Sequence, residues 1–147
     1  MPRARPAVAT LAATALVGGA LAGCGGIKAP DLFVVQRSGD GPHAKLTLLV
    51  NEEGGLQCNG SARLDGHALK LSDAQLVQAR AIQEDLRELA AKHTSLAPGP
   101  KAVLSYYARD ESGSVRFSDD SAGQPNVFRQ LALFVLQTAQ QVCRLPE

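Results

Sequence analysis

Hydrophobic positions along the chain switch between a period of two and a period of 3.6. Residues 32–37 form a β-branched and aromatic run that predicts a strand. In residues 45–50, Leu46, Leu48 and Val50 fall on one side and Lys45 and Thr47 on the other, as in a half-buried strand. Between these two runs, Ser38-Gly39-Asp40-Gly41-Pro42 is dense in turn formers. Asn51-Glu52-Glu53-Gly54-Gly55 supplies the next loop, and residues 56–59 predict a third strand carrying Cys58. Residues 60–66 read as polar and irregular, with a short edge segment expected at 67–71.

The period changes at Ser72. That residue is a good N-cap, Gln75 completes a capping box, and Leu71 and Leu76 occupy the staple positions. Leu76, Ala79, Ile82, Leu86, Leu89 and Ala90 then recur at helical spacing on one face. Glu88 and Lys92 are expected to pair on the exposed side. The helix should end near His93, because Thr94, Ser95, Pro98 and Pro100 do not sustain it. Residues 102–109 predict a fourth strand, with Val103, Ser105 and Tyr107 opposite Leu104, Tyr106 and Ala108. Asp110-Glu111-Ser112-Gly113 predicts a hairpin turn, and residues 114–118 its returning strand. After a polar loop at 119–124, Pro125 suits the first turn of a last helix. Its apolar face carries Phe128, Leu131, Ala132, Val135, Ala139, Val142 and Cys143, widened by Leu133, Phe134 and Leu136 so that burial on more than one side is expected. Strands, helix, strands and helix with hairpin-length connections predict an α+β fold: a single antiparallel sheet of four to five strands with two helices packed on one face.

The first residues have a different character. Arg3 and Arg5 are followed by an uncharged run rich in Ala, Leu and Val over 7–22, and then by Leu21-Ala22-Gly23-Cys24. This segment closely resembles bacterial lipoprotein signal peptides over its whole length. The resemblance implies lipidation of the Cys24 thiol and cleavage between Gly23 and Cys24. The competing reading is an uncleaved membrane anchor. Residues 6–27 form an uncharged run of 22 residues, but glycines and threonines make it weakly hydrophobic. The expected organisation is a signal peptide at 1–23, a lipidated N-terminus and spacer at 24–31, and one α+β domain at 32–147. The expected location is the cell membrane, held by the lipid and facing outside the cytoplasm; two or more acyl chains anchor a protein durably.

Charge and cysteines refine this picture. Without Arg3 and Arg5 the chain has 13 basic residues against 14 acidic, a net charge of −1. That argues against nucleic acid as a partner, since phosphate binding needs a basic excess or a basic face. The chain has three cysteines, an odd number for an exported protein. The lipid accounts for Cys24, which leaves Cys58 and Cys143 either to pair outside the cytoplasm or to stand as two buried thiols.

Candidate chemistry is sparse. His43, His67 and His93 are scattered, and none stands at metal-ligand spacing from either cysteine, so no metal or cofactor is expected. Neither Gly-x-Ser-x-Gly nor Ser-x-x-Lys occurs. Arg37-Ser38-Gly39-Asp40-Gly41 looks like a phosphate loop but lacks the lysine and the following helix that the mechanism requires. Asp110-Glu111 and Asp119-Asp120 do not follow a calcium-loop pattern and read as solvated turn acids. Asn59-Gly60-Ser61 matches a glycosylation sequon, but the bacterial signal argues against glycosylation. Tyr106 and Tyr107 must face opposite sides of their strand, one towards the core and the other as a candidate binding anchor. Arg37, Tyr106 and Tyr107 make up the candidate binding surface.

A strand ending in Arg37-Ser38-Gly39, a further sheet segment, a helix, a tyrosine-bearing hairpin and a final helix make an order similar to that of emfourin-type inhibitors of thermolysin-like metalloproteases. This resemblance implies a small inhibitory or binding module; the Leu21-Ala22-Gly23-Cys24 motif, the cysteine pair and the longer last helix are additions to the family pattern. The functional expectation is a membrane-anchored, non-enzymatic extracytoplasmic binding module, with a secreted or envelope protein as partner. The alternatives are a protease-inhibitor-like domain, an envelope hydrolase and a structural envelope component.

Overall fold

The computed structural model describes residues 29–41 and 43–146. The expected signal segment, including Gly23 and Cys24, lies outside the described residues. Strands β1 (Asp31–Gly39), β2 (Leu46–Asn51) and β3 (Leu56–Cys58) are followed by the two-residue strands β4 (Arg63–Leu64) and β5 (His67–Ala68). Helix α1 (Asp73–Ala91), strands β6 (Leu104–Arg109) and β7 (Ser114–Ser118), and helix α2 (Asn126–Gln141) complete the order. Five strands form one sheet in the order β3-β2-β1-β6-β7, and every pairing is antiparallel. Both helices pack on one face, so the fold is the expected α+β arrangement.

Alternation decides which side chains enter the core. Phe33 and Val35 of β1, Leu46, Leu48 and Val50 of β2, Tyr106 and Ala108 of β6, and Val115 and Phe117 of β7 all face the helices. A register shift between Asp31 and Phe33 lets the consecutive Leu32 and Phe33 both be buried. Tyr106, Phe117 and Phe128 stack in sequence, with ring centroids 5.0 and 4.4 Å apart. Phe134 meets Phe33 edge-on at 5.9 Å. Fully burying a side chain of this kind stabilises by about 1.5–3 kcal/mol.

The capping box at α1 forms in full: the Gln75 N–H donates to Ser72 Oγ, and the Ser72 N–H donates to Gln75 Oε1. The helix ends where Thr94 N donates to Leu89 O and His93 N to Ala90 O. That Schellman closure requires a left-handed residue, and here His93 takes the place usually held by glycine, with φ 52°. Glu88 and Lys92 form the expected surface ion pair.

Three local expectations need correction. Residues 60–66 are not irregular, because Asp65 and Gly66 both adopt positive φ and close a two-residue turn between β4 and β5. The fourth strand starts at Leu104 rather than 102, because the Asp119 carboxylate accepts the N–H groups of both Val103 and Leu104. Helix α2 buries one broad face, not several. Phe134 is inside, but Leu133 and Leu136 are 50 % and 40 % exposed, with no element of the described fold laid over them.

Cys58 at the end of β3 and Cys143 just beyond α2 form a disulfide, with Cα atoms 6.0 Å apart. The bridge fastens the β3 edge of the sheet to the end of the last helix. Among the described residues no helix is long and apolar enough to cross a membrane.

Candidate functional site on the open sheet face

The helices cover one face of the sheet and leave the other to solvent. The register places Thr47, Gln36, Tyr107 and Arg116 side by side on β2, β1, β6 and β7. Ser95 continues the rank through a parallel bridge to Arg116. At about 4.8 Å per strand, five abreast span roughly 19 Å. The rank forms the floor of an open trough of about 770 Å³.

Tyr107 and Arg116 are its most distinctive pair. The guanidinium carbon of Arg116 lies 4.3 Å from the centroid of the Tyr107 ring, a cation–π contact on a rigid hairpin. Gln36, Ser38, Thr47 and Ser105 surround them with short polar groups. Lys45 adds a second cation at the opposite side. The surface therefore offers hydrogen-bond donors and acceptors, an aromatic face and positive charge.

The rim is a strap at 94–100 that runs beside β7. Arg116 N donates to Thr94 O, and Leu96 N donates to Arg116 O. The strap is held at its far end by acids, which corrects the reading of Asp119 and Asp120 as merely solvated. Asp120 accepts the N–H of Gly99 at 2.9 Å and of Lys101 at 2.6 Å, as well as the Ser118 hydroxyl. Asp119 does the same for Val103 and Leu104. These backbone donors have no strand partner, and the carboxylates satisfy them.

The three residues of the expected binding surface do not share a face. Tyr107 stands in the trough, whereas Arg37 and Tyr106 are neighbours on the inner face and are buried. Burial pushes the Tyr106 phenol above the ordinary tyrosine range; the nearby Arg37 charge partly offsets this, and Asp119 adds a smaller upward push. Arg37 donates from Nε to Ala44 O at 3.0 Å and from Nη2 to His43 O at 2.9 Å, tying the β1–β2 turn to the sheet. Gly39 sits where a Cβ would lie 2.3 Å from Val103 O, a physical reason for glycine in Arg37-Ser38-Gly39.

The histidines remain dispersed. His43 is in the β1–β2 turn and His67 is exposed on β5. His93 Nδ1 lies 3.4 Å from Ser114 Oγ at the surface, away from the trough floor. Among the described residues, no group of three His, Cys, Asp or Glu side chains is arranged to hold a metal ion. Arg116 was missing from the sequence-derived surface. Its alternation with the buried Val115 and Phe117 marks it as solvent-facing, but its place beside Tyr107 depends on hairpin register.

Compared with known proteins, the chain matches no family model, no curated protein and no solved structure.

Proposed function

We propose that this protein is a lipid-anchored, non-enzymatic binding module facing outside the cytoplasm, and that it holds a protein or envelope ligand in the trough of its open sheet face. The rank Thr47–Gln36–Tyr107–Arg116 is the observation that carries the reading. The paired strands that carry these side chains are already ordered, so binding here does not have to order backbone, and the Tyr107–Arg116 contact holds two of the side chains together beforehand. Tyrosine and arginine are also the residue types that dominate binding hot spots. The anchor rests on the likeness of the N-terminal segment to lipoprotein signals, and the Cys58–Cys143 bridge is in keeping with an oxidising compartment.

Two measurements test the two halves of this proposal. Cys24→Ala is expected to release the full chain from the membrane fraction or leave it unprocessed; wild-type fractionation and migration would refute the anchor. For the trough, wild type and the Tyr107→Ala/Arg116→Ala variant are used side by side to capture partners from envelope and culture fluid. The variant is expected to lose a partner that wild type retains, and equal recovery overturns the assignment of the face. A captured metalloprotease inhibited in equal ratio would make the module an inhibitor, the form of the reading that the order of elements after Arg37-Ser38-Gly39 favours.

A further inference from the structure

On the helix side of the sheet a second concavity of about 450 Å³ opens between α2 and the β1–β2 turn. Its walls include Ala44, Val103, Leu104, Leu136 and Ala139. Val103 is 58 % exposed and Leu136 40 %, so the mouth of the groove presents apolar surface to water. Arg37 lines the groove and is itself only 7 % exposed.

Arg37 is a buried cation with incomplete partners. Its two hydrogen bonds go to the neutral carbonyls of Ala44 and His43. Among the described residues, no carboxylate forms a salt bridge with it and its Nη1 has no hydrogen-bond partner. Asp119, whose charge acts on the same Tyr106 that Arg37 acts on, spends both carboxylate oxygens on the N–H groups of Val103 and Leu104. Asp40 also lines the groove, but at an exposed position. Nη1 is not among the buried polar atoms that lack a partner, so it is open to solvent and within reach of an anion that enters the groove.

The geometry points to a binding site for a single-chain carboxylate amphiphile. The carboxylate would accept from the open Nη1 side of Arg37, and the hydrocarbon would lie along Leu104, Leu136 and Ala139. The end-on edge of the guanidinium matches the two oxygens of a carboxylate, and Asp40, at an exposed position of the lining, opposes that anion only weakly. The volume lies in the lower part of the roughly 300–1,000 Å³ range of small-molecule sites, which favours one short chain over a two-chain lipid. The groove is on the opposite face from the trough, and Arg37 borders both.

The test uses the full chain in phosphatidylcholine nanodiscs, titrated with octanoate and read by calorimetry against empty nanodiscs. Saturable binding at one site per chain is expected, with octanol and acetate each at least about tenfold weaker. Arg37→Gln should weaken octanoate by about tenfold or more, and Asp40→Asn should tighten it by about twofold. Should Arg37→Gln fail to fold, Leu136→Glu alters a half-exposed helix position and puts a carboxylate in the mouth, with loss of binding expected. Octanol binding as well as octanoate, equal binding by a folded Arg37→Gln or Leu136→Glu protein, or a signal no larger than that of empty nanodiscs overturns the site.

Discussion

Removing the Cys58–Cys143 bridge should be among the most damaging changes this domain can undergo. The two cysteines are 85 residues apart in sequence, and the loop they close contains β4, β5, α1, β6, β7 and α2. In the chain-entropy account, releasing a loop of that length gives back about 4.5 kcal/mol of unfolded-state entropy at 25 °C. A domain of ordinary stability has about 5–15 kcal/mol in all. Cys58→Ala/Cys143→Ala should therefore lower the urea midpoint by roughly 2–3 M, taking a slope of about 1.5–2 kcal/mol/M. The slope itself should rise, because the unfolded chain without a cross-link is less compact. The chain has no tryptophan, so circular dichroism is the natural probe, with thiols counted in parallel on the denatured protein. An unchanged midpoint in the variant, or two free thiols at Cys58 and Cys143 in the wild type under oxidising conditions, refutes the reasoning.

Three further outcomes follow from the same geometry. Phe128→Ala removes the end of the Tyr106–Phe117–Phe128 stack at a fully buried position and should cost about 3–5 kcal/mol by chemical unfolding. Asp119→Ala leaves the Val103 and Leu104 N–H groups without their carboxylate at an exposed site and should cost about 0.5–1.5 kcal/mol, with faster amide exchange at 103 and 104 and little change in β1. Tyr106 has its folded pKa raised by burial, so the folded state keeps that proton more tightly than the unfolded state. Stability from this source is intact below the ordinary tyrosine pKa of about 10 and is lost as pH rises towards the higher folded value. Tyr106→Phe should flatten the alkaline fall in the unfolding midpoint and remove the high-pH step from the tyrosinate absorbance titration.

What the sequence showed depended on how local the determining forces were. The capping box at Ser72 and Gln75 is decided within four residues, and it formed as the pattern predicts. Asp65-Gly66 is equally local and equally readable as a hairpin turn, but the short polar flanks hide strands of two residues. The burial of Arg37 was also legible. It continues the period of two set by Phe33 and Val35, so it must point where they point. Its charge made it look like a surface residue. The rank Thr47–Gln36–Tyr107–Arg116 was not readable, because β1 and β6 meet across the whole of α1, and nothing in either strand states which residue faces which. The clamping role of Asp119 and Asp120 is hidden for the same reason, since their partners lie 15 to 21 residues back along the chain.

The central strand joins the two proposed surfaces. Gln36 and Arg37 are consecutive in β1, and the pleat sends one to the open trough and the other beneath α2. β1 is paired on both sides, to β2 and to β6, so its register is held by two ladders at once. A slip of one residue would carry Arg37 into the trough and Gln36 into the core, along with every buried side chain of the strand. The hydrophobic cost of misplacing Phe33 and Val35 therefore fixes where both polar residues stand. Both central residues are mounted on this inner strand, and the Arg37 guanidinium is held further by the His43 and Ala44 carbonyls of the β1–β2 turn. On this architecture a ligand at either face meets a backbone whose register already fixes which side chains it faces.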